Sequence, residues 1–206
     1  MYSYLGKFFV CCSQRISSQQ TGLRLEVKRL RSEQELLSLQ KNFEKHDGIC
    51  LPLEYLGSGH AYEFFDINGV PRAGFALVSG TKLRTIEQSP ITIEDNRSLT
   101  EITAVWLDRQ YKSHRVSFWL FVVGKALQSR NDELVYAVDM GKINLRKKIF
   151  NHIRAQTLYE GPVKCLDGMK HVTSEAVELA TKASLFKGFM QLAAIEAYEG
   201  LWLLEK

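Results

Sequence analysis

Two features of this sequence carry chemistry by residue type and spacing. The run Tyr111-Lys112-Ser113-His114-Arg115-Val116-Ser117 falls between a strand candidate and an apolar segment. A strand that ends in a turn leading into a helix presents free backbone N–H groups. Those donors and the helix dipole attract phosphate. Lys112 and Arg115 add positive charge there, and Ser117 is small. Glu101, near the start of the preceding strand, is the second feature. A carboxylate can accept a proton from a neighbouring group, directly or through water.

Positive charge gathers in two further zones. No acid precedes Glu26, whereas Lys7, Arg15 and Arg24 do. Between Asp139 and Glu160 lie Lys142, Arg146, Lys147, Lys148 and Arg154, with no acid among them. Such zones point to an anionic partner or to a solvated basic face. Aromatics are not interleaved with the second run, which argues against a nucleic-acid stacking platform. The five histidines, His46, His60, His114, His152 and His171, form neither H-x-x-H nor H-E-x-x-H, so no metal site is expected. Gly57-Ser58-Gly59 lacks the third glycine and a preceding strand, so no dinucleotide fingerprint follows. Cys11, Cys12, Cys50 and Cys165 contain no C-x-x-C, and neighbouring cysteines rarely form a relaxed disulfide. They read as reduced thiols in a cytoplasmic setting.

The chain has 206 residues, 45% of them apolar and 24% charged, with a net charge of +4. That suits a soluble globular fold with a real core. Residues 1–22 are Ser-rich and acid-free and read as an arm. Residues 23–206 read as one domain. Val116–Gly124 is far short of the ~20 apolar residues a membrane span needs.

The order of elements can be read from local signals. Leu23–Leu30 alternates as a strand, and Ser32-x-x-Glu35 is a capping box for a helix that stops at Gly48. Tyr62–Ile67, Asn68-Gly69 and Gly74–Val78 spell a hairpin, which Lys82–Ile86 extends. Glu101–Leu107 is a strand with Thr103, Val105 and Leu107 on one face. Val116–Gln128 is a buried helix and Leu134–Val138 a buried strand. Asn144–Ile153 is a basic helix, and Thr157–Cys165 a strand broken by Gly161-Pro162. Ser174–Tyr198 is Ala-rich and helical, and Leu201–Leu204 closes as a strand. Sheet with helices on both faces makes an α/β (α+β) sandwich.

This order resembles the GNAT acyltransferase superfamily over roughly residues 23–165. Asp66-Ile67-Asn68-Gly69-Val70-Pro71-Arg72-Ala73-Gly74-Phe75 is similar to that family's β2–β3 hairpin. The run Tyr111–Ser117 falls where the family has its pyrophosphate loop, Q/R-x-x-G-x-G/A. Leu134–Asp139 followed by Asn144 looks like the family's next strand and helix-opening Asn. The resemblance implies a mixed, mostly antiparallel sheet with helices on both faces and a helical C-terminal addition. It implies transfer of an acyl group from acyl-CoA or acetyl-CoA to a small-molecule or peptide amine, without metal.

Several site residues follow from the resemblance. Leu107, Lys112, Ser113, His114, Arg115, Val116, Ser117 and Asn144 would bind the donor. Glu101 stands where several relatives place the general base. Arg115 stands at the family's first glycine, where it narrows the cofactor approach or sets a guanidinium beside the phosphates. The family's acid tyrosine falls here on Asn151, which leaves His152, Tyr136 or Tyr159 to protonate the leaving thiolate. The lost glycine leaves room for an acyl carrier protein as donor, as in relatives resembling acyl-homoserine lactone or N-acyl amino acid synthases. The basic helix with Lys142, Arg146, Lys147 and Lys148 suits the donor phosphates or that acidic carrier. Two other readings compete. One is a catalytically inactive GNAT-like module that binds a ligand or partner. The other is an interaction protein whose C-terminal helices form a homodimer.

Overall fold

The capping box at Ser32 works as its spacing predicts. Glu35 N–H donates to Ser32 Oγ at 3.3 Å, and Ser32 N–H returns to Glu35 Oε2 at 3.0 Å. Helix α1 (Glu33–Asp47) starts there and ends on Gly48, whose φ of 76° is cheap only for glycine. The architecture is that of a computed structural model, which describes residues 25–93, 98–142, 153–166 and 174–191 with Lys7 and Ala194. The arm at 1–22, apart from Lys7, lies outside the described residues. So do most of the expected helix Asn144–Ile153 and the expected strand Leu201–Leu204.

Seven strands form one sheet in the order β1-β2-β3-β4-β5-β7-β6. They are β1 (Glu26–Arg29), β2 (His60–Phe65), β3 (Pro71–Gly80), β4 (Leu99–Leu107), β5 (Glu133–Asp139), β6 (Gln156–Pro162) and β7 (Ser174–Thr181). Every neighbouring pair is antiparallel except β4 and β5, which are parallel. The β2–β3 hairpin turns where Asn68-Gly69 predicts. Gly69 N–H donates to Asp66 O at 2.9 Å, and Gly69 sits at φ 73°.

Helix α4 (Arg115–Gln128) covers one face. Its Phe118 and Phe121 meet Phe64 edge to face at 5.3 and 5.2 Å between centroids. Leu185 and Phe189 of helix α5 (182–191) join the same core. The opposite face is covered by α1 and a short helix α2 (Leu53–Gly57), through Leu39, Phe43 and Leu56. A single helical turn, α3 (Arg84–Glu87), with Leu83 and Ile86 covers the rest of that face. No described helix is long and apolar enough to cross a membrane.

Four local expectations change in the folded chain. Ser174–Thr181 is strand β7, not the start of a helix. Ala176, Val177 and Ala180 are buried between β5 and β6, and central pairing overrides the helical preference of an Ala-rich run. Lys82–Ile86 does not extend the hairpin. The chain leaves β3 at Gly80, φ 156°, and Arg84 turns its side chain into the sheet. Strand β6 ends at Pro162, before Cys165, where Tyr159 OH donates to Pro162 O at 2.7 Å. Thr103 does not share a face with Val105 and Leu107. Thr103 pairs with Ala76 under α1, whereas Val105 and Leu107 pack toward α4.

Candidate active site

The change of face in β4 has a local cause. Opposite β3, Thr103 pairs with Ala76 and Trp106 with Gly74, so Ala104 and Val105 together oppose Phe75. This is a β-bulge, and Ala104 adopts a φ of 53° that an alanine rarely takes. A bulge bends its strand. Parallel pairing with β5 is limited to Thr100↔Leu134 and Glu101↔Val135. Beyond that point residues 102–107 of β4 and 136–139 of β5 run on without pairing each other, leaving a split between the two parallel strands. Ligands of α/β sheets favour the crevice beyond the carboxyl ends of parallel strands.

Helix α4 begins at this carboxyl end. A 3-10 turn, Arg109–His114, connects it to β4. His114 is the N-cap residue and provides no side-chain cap. The first turn of α4 contains no acid. Its Ser117 Oγ donates back to His114 O at 2.9 Å. Arg115, the first helical residue, is exposed, and Val116 is half-buried. Burial pushes the His114 imidazole below its ordinary value, so it stays neutral at physiological pH. Lys112 and Ser113 lie in the turn itself, and Leu107 ends β4 on the α4 side. The turn thus leads into a helix N-terminus that its N-cap residue does not cap by side chain, a setting suited to an anion. Asn144 lies outside the described residues.

The turn is held from the hairpin. Arg72 donates through Nε to Asp66 Oδ2 at 2.9 Å and through Nη1 to Asp108 Oδ2 at 3.1 Å. Its guanidinium lies 4.9 Å from the centroid of the Tyr111 ring, and Tyr111 OH donates to Asp66 Oδ2 at 3.3 Å. Asp66 also accepts from Asn68 and Val70 N–H, and the Val70 bond is the largest cause holding its carboxyl below the usual range.

Glu101 sits at the last paired position before the split and is fully buried on the α1 side of the sheet. Its Oε2 accepts from Tyr55 OH at 2.8 Å and Thr85 N–H at 3.0 Å. Its Oε1 faces Arg84 Nε at 3.4 Å. Arg84 reaches onward to Glu175 Oε1 at 3.2 Å and Gln88 Oε1 at 2.7 Å. Burial opposes the charge on Arg84, but Glu101 and Glu175 outweigh it and hold the guanidinium protonated. Burial raises the Tyr55 phenol, and Glu101 raises it further. Glu101 is thus an enclosed carboxylate, not an exposed surface charge.

The other sequence-derived candidates scatter. Tyr136 directly follows the last paired residue of β5 but lies on the α4 side, opposite Glu101, in the apolar core. Tyr159 lies on β6, two strands further out, and its hydroxyl is committed to Pro162 O. His152 lies outside the described residues. Tyr55, Arg84 and Glu175 were not legible as site residues, because their partners stand far away in the chain. A buried arginine in a helical turn has no local signature.

No family model matches this sequence, and no curated protein sequence is similar to it. Solved structures are. FeeM, an N-acyl amino acid synthase from uncultured soil microbes, superposes with a TM-score of 0.58 at 11% identity, over 79% of this chain and 93% of that one. An N-acetyltransferase from Staphylococcus aureus gives 0.53 at 12% identity, over 77% and 98%. Arabidopsis thaliana Naa50, solved in complex with the bisubstrate analogue CoA-Ac-MVNAL, gives 0.55 at 10% identity, over 76% and 98%. In its mixed, mostly antiparallel seven-stranded sheet with helices, the chain shares the GNAT-like fold of these N-acyltransferases.

Proposed function

We propose that this chain is an N-acyltransferase that moves an acyl group from a thioester donor to an amine. The observation that carries this reading is the split between β4 and β5, which opens at Glu101 and leads to the N-terminus of α4. The similar folds support it, since they include an N-acyl amino acid synthase and a protein bound to a CoA-peptide bisubstrate analogue.

In this reading the turn Lys112–Ser117 and the N–H groups of α4 hold the donor's diphosphate, with Leu107 and Val116 beside it. Asn144 completes that set. Arg115 gives a charge-assisted contact in place of the family's glycine. The amine nitrogen attacks the thioester carbonyl, the C–N bond forms and the C–S bond breaks. The ammonium's proton passes to Glu101, with Tyr55 OH as the relay already bonded to it. The thiolate leaves and takes a proton from Tyr136, at the fork of the strands, or from His152. Orientation of amine and thioester supplies much of the rate.

Acyl-CoA, acetyl-CoA and an acyl carrier protein are the candidate donors. An acidic carrier on the basic segment 142–154, a homodimer and a cytoplasmic site of action complete the proposal. Isothermal calorimetry with coenzyme A and acetyl-CoA tests it, with micromolar binding expected and an N-acyl product seen by mass spectrometry. No heat at millimolar ligand, together with no transfer from an acylated carrier protein, overturns it. Arg115 favours one second reading, a module that binds the donor without turnover. Binding of acetyl-CoA with no product from a panel of amines would establish that reading.

A further inference from the structure

The charged cluster beside the strand split does not balance. Glu101 and Glu175 contribute two formal negative charges and Arg84 one positive, and all three side chains are at least nine-tenths buried. Glu101 accepts from Tyr55, Thr85 and Arg84, as described. Glu175 Oε1 accepts from Arg84 Nη1. Glu175 Oε2 has no hydrogen-bond partner among the described residues, although its side chain is only 4% exposed. The neighbouring Gln88 amide donates instead to Lys164 O, at 3.0 Å. An unmet buried acceptor costs on the order of 1–3 kcal/mol, more when charged. Such an atom needs a physical explanation, and a ligand donor is one.

Position supports the same conclusion independently. Glu175 stands directly opposite Asp139 in the β5–β7 register. Like charges facing each other across strands repel. Alternation along β7 and β5 puts Glu175, Asp139 and Glu101 on one face, with Ala137 between them. Ala137 and Asp139 are half-buried, so this stretch of β5 is not sealed on that side. Three carboxylates, one guanidinium and an open acceptor lie beside the split where the reacting nitrogen must arrive.

We infer that Glu175 Oε2 receives an N–H of the acceptor's ammonium group, which makes this place a subsite for a primary alkylammonium. The inference rests on the N-acyltransferase reading and names its acceptor class. A cation with N–H donors both fills the open acceptor and reduces the excess negative charge. A quaternary ammonium brings the charge without the donor, and an alcohol brings a donor without the charge.

The test is equilibrium binding of n-butylammonium to the whole protein, without donor, by calorimetry. Tetramethylammonium and n-butanol serve as comparison probes. Butylammonium is expected to bind, with the other two at least ~10-fold weaker, the ratio that one good interaction of about 1.4 kcal/mol gives. Glu175→Gln should weaken butylammonium by a similar factor and raise the amine KM with acetyl-CoA, leaving the acetyl-CoA KM unchanged. Should Glu175→Gln fail to fold, Glu175→Asp keeps the charge but withdraws it by one methylene, and should weaken butylammonium likewise. Absence of butylammonium binding at tens of millimolar overturns the inference. So does equal binding of tetramethylammonium, or a Glu175 variant within twofold of the native protein. Coenzyme A binding without amine selectivity would sink this inference alone. Butylammonium binding without coenzyme A binding would sink the enzyme reading instead.

Discussion

Two buried carboxylates on the α1 side of the sheet have different partners. Glu101 is enclosed by a guanidinium, a phenol and a backbone N–H, all donors to the charged form. Glu63, on β2, is equally buried but meets only neutral donors, Asn42 Nδ2 at 2.9 Å and Ser38 Oγ at 3.1 Å. Burial therefore raises the Glu63 carboxyl, and those two bonds offset it only in part. Its folded form holds the proton more tightly than the unfolded chain does. Stability is then full below the unfolded value of about 4.3 and falls as pH rises through the higher folded value. Glu63→Gln should flatten that decline and raise the melting temperature at neutral pH. Parallel melting curves for the two proteins from acid to neutral pH would show that Glu63 is not responsible. For Glu101→Gln, the proposed loss of the proton acceptor should cut turnover ~10²–10⁴-fold. The deficit should shrink at high pH, where the amine is already free, and coenzyme A affinity should change little. Breaking a buried pair by removing one partner typically costs ~3–5 kcal/mol. Rates must therefore be compared per folded molecule, and a rate within twofold at all pH values would return the base to another residue.

Elements position the site through a clamp that no single element contains. The β2–β3 turn supplies Asp66, β3 supplies Arg72, Asp108 follows the end of β4, and the 3-10 turn supplies Tyr111. Asp108 N–H also donates to Arg72 O at 2.8 Å, so the backbone beyond β4 is tied to β3. Partly exposed ion pairs are worth about 0–1 kcal/mol each in stability. Arg72→Ala should therefore lower the global stability only slightly. Its effect on the turn proposed to hold the donor should be larger in kind. It loses both carboxylate contacts and the stacking on Tyr111, and coenzyme A affinity should fall roughly three- to tenfold, about 1 kcal/mol. Tyr111→Phe keeps the ring under Arg72 and drops only the 3.3 Å bond to Asp66, so it should stay within about twofold. Equal affinities for native protein and Arg72→Ala would show that the turn holds its shape unaided.

At the scale of the whole molecule, one continuous seven-stranded sheet carries both the turn before α4 and the buried cluster. Ligand that binds only the folded chain should stabilise all of it together. With coenzyme A at about 100 times its Kd, unfolding should cost about 2.7 kcal/mol more, seen as a shift of one melting transition. Two transitions, only one of them moved by coenzyme A, would mean that the sheet does not unfold as a unit.

Much of the framework was legible in the chain itself, because its signals act over a few residues. The capping box Ser32–Glu35, the stop at Gly48, the Asn68-Gly69 turn and the apolar helix through Val116–Gln128 each form where local chemistry requires. Local chemistry misled where pairing partners decide. Ser174–Thr181 has helical composition and is a strand because β5 and β6 flank it. Thr103 changes face because a bulge at Ala104 inserts one residue into an alternation that was otherwise read correctly. The buried cluster could be known only from the tertiary structure. Tyr55, Arg84, Glu101 and Glu175 come from α2, α3, β4 and β7. Their types are ordinary one by one, and their chemistry arises from charge brought together out of water, which chain proximity does not encode.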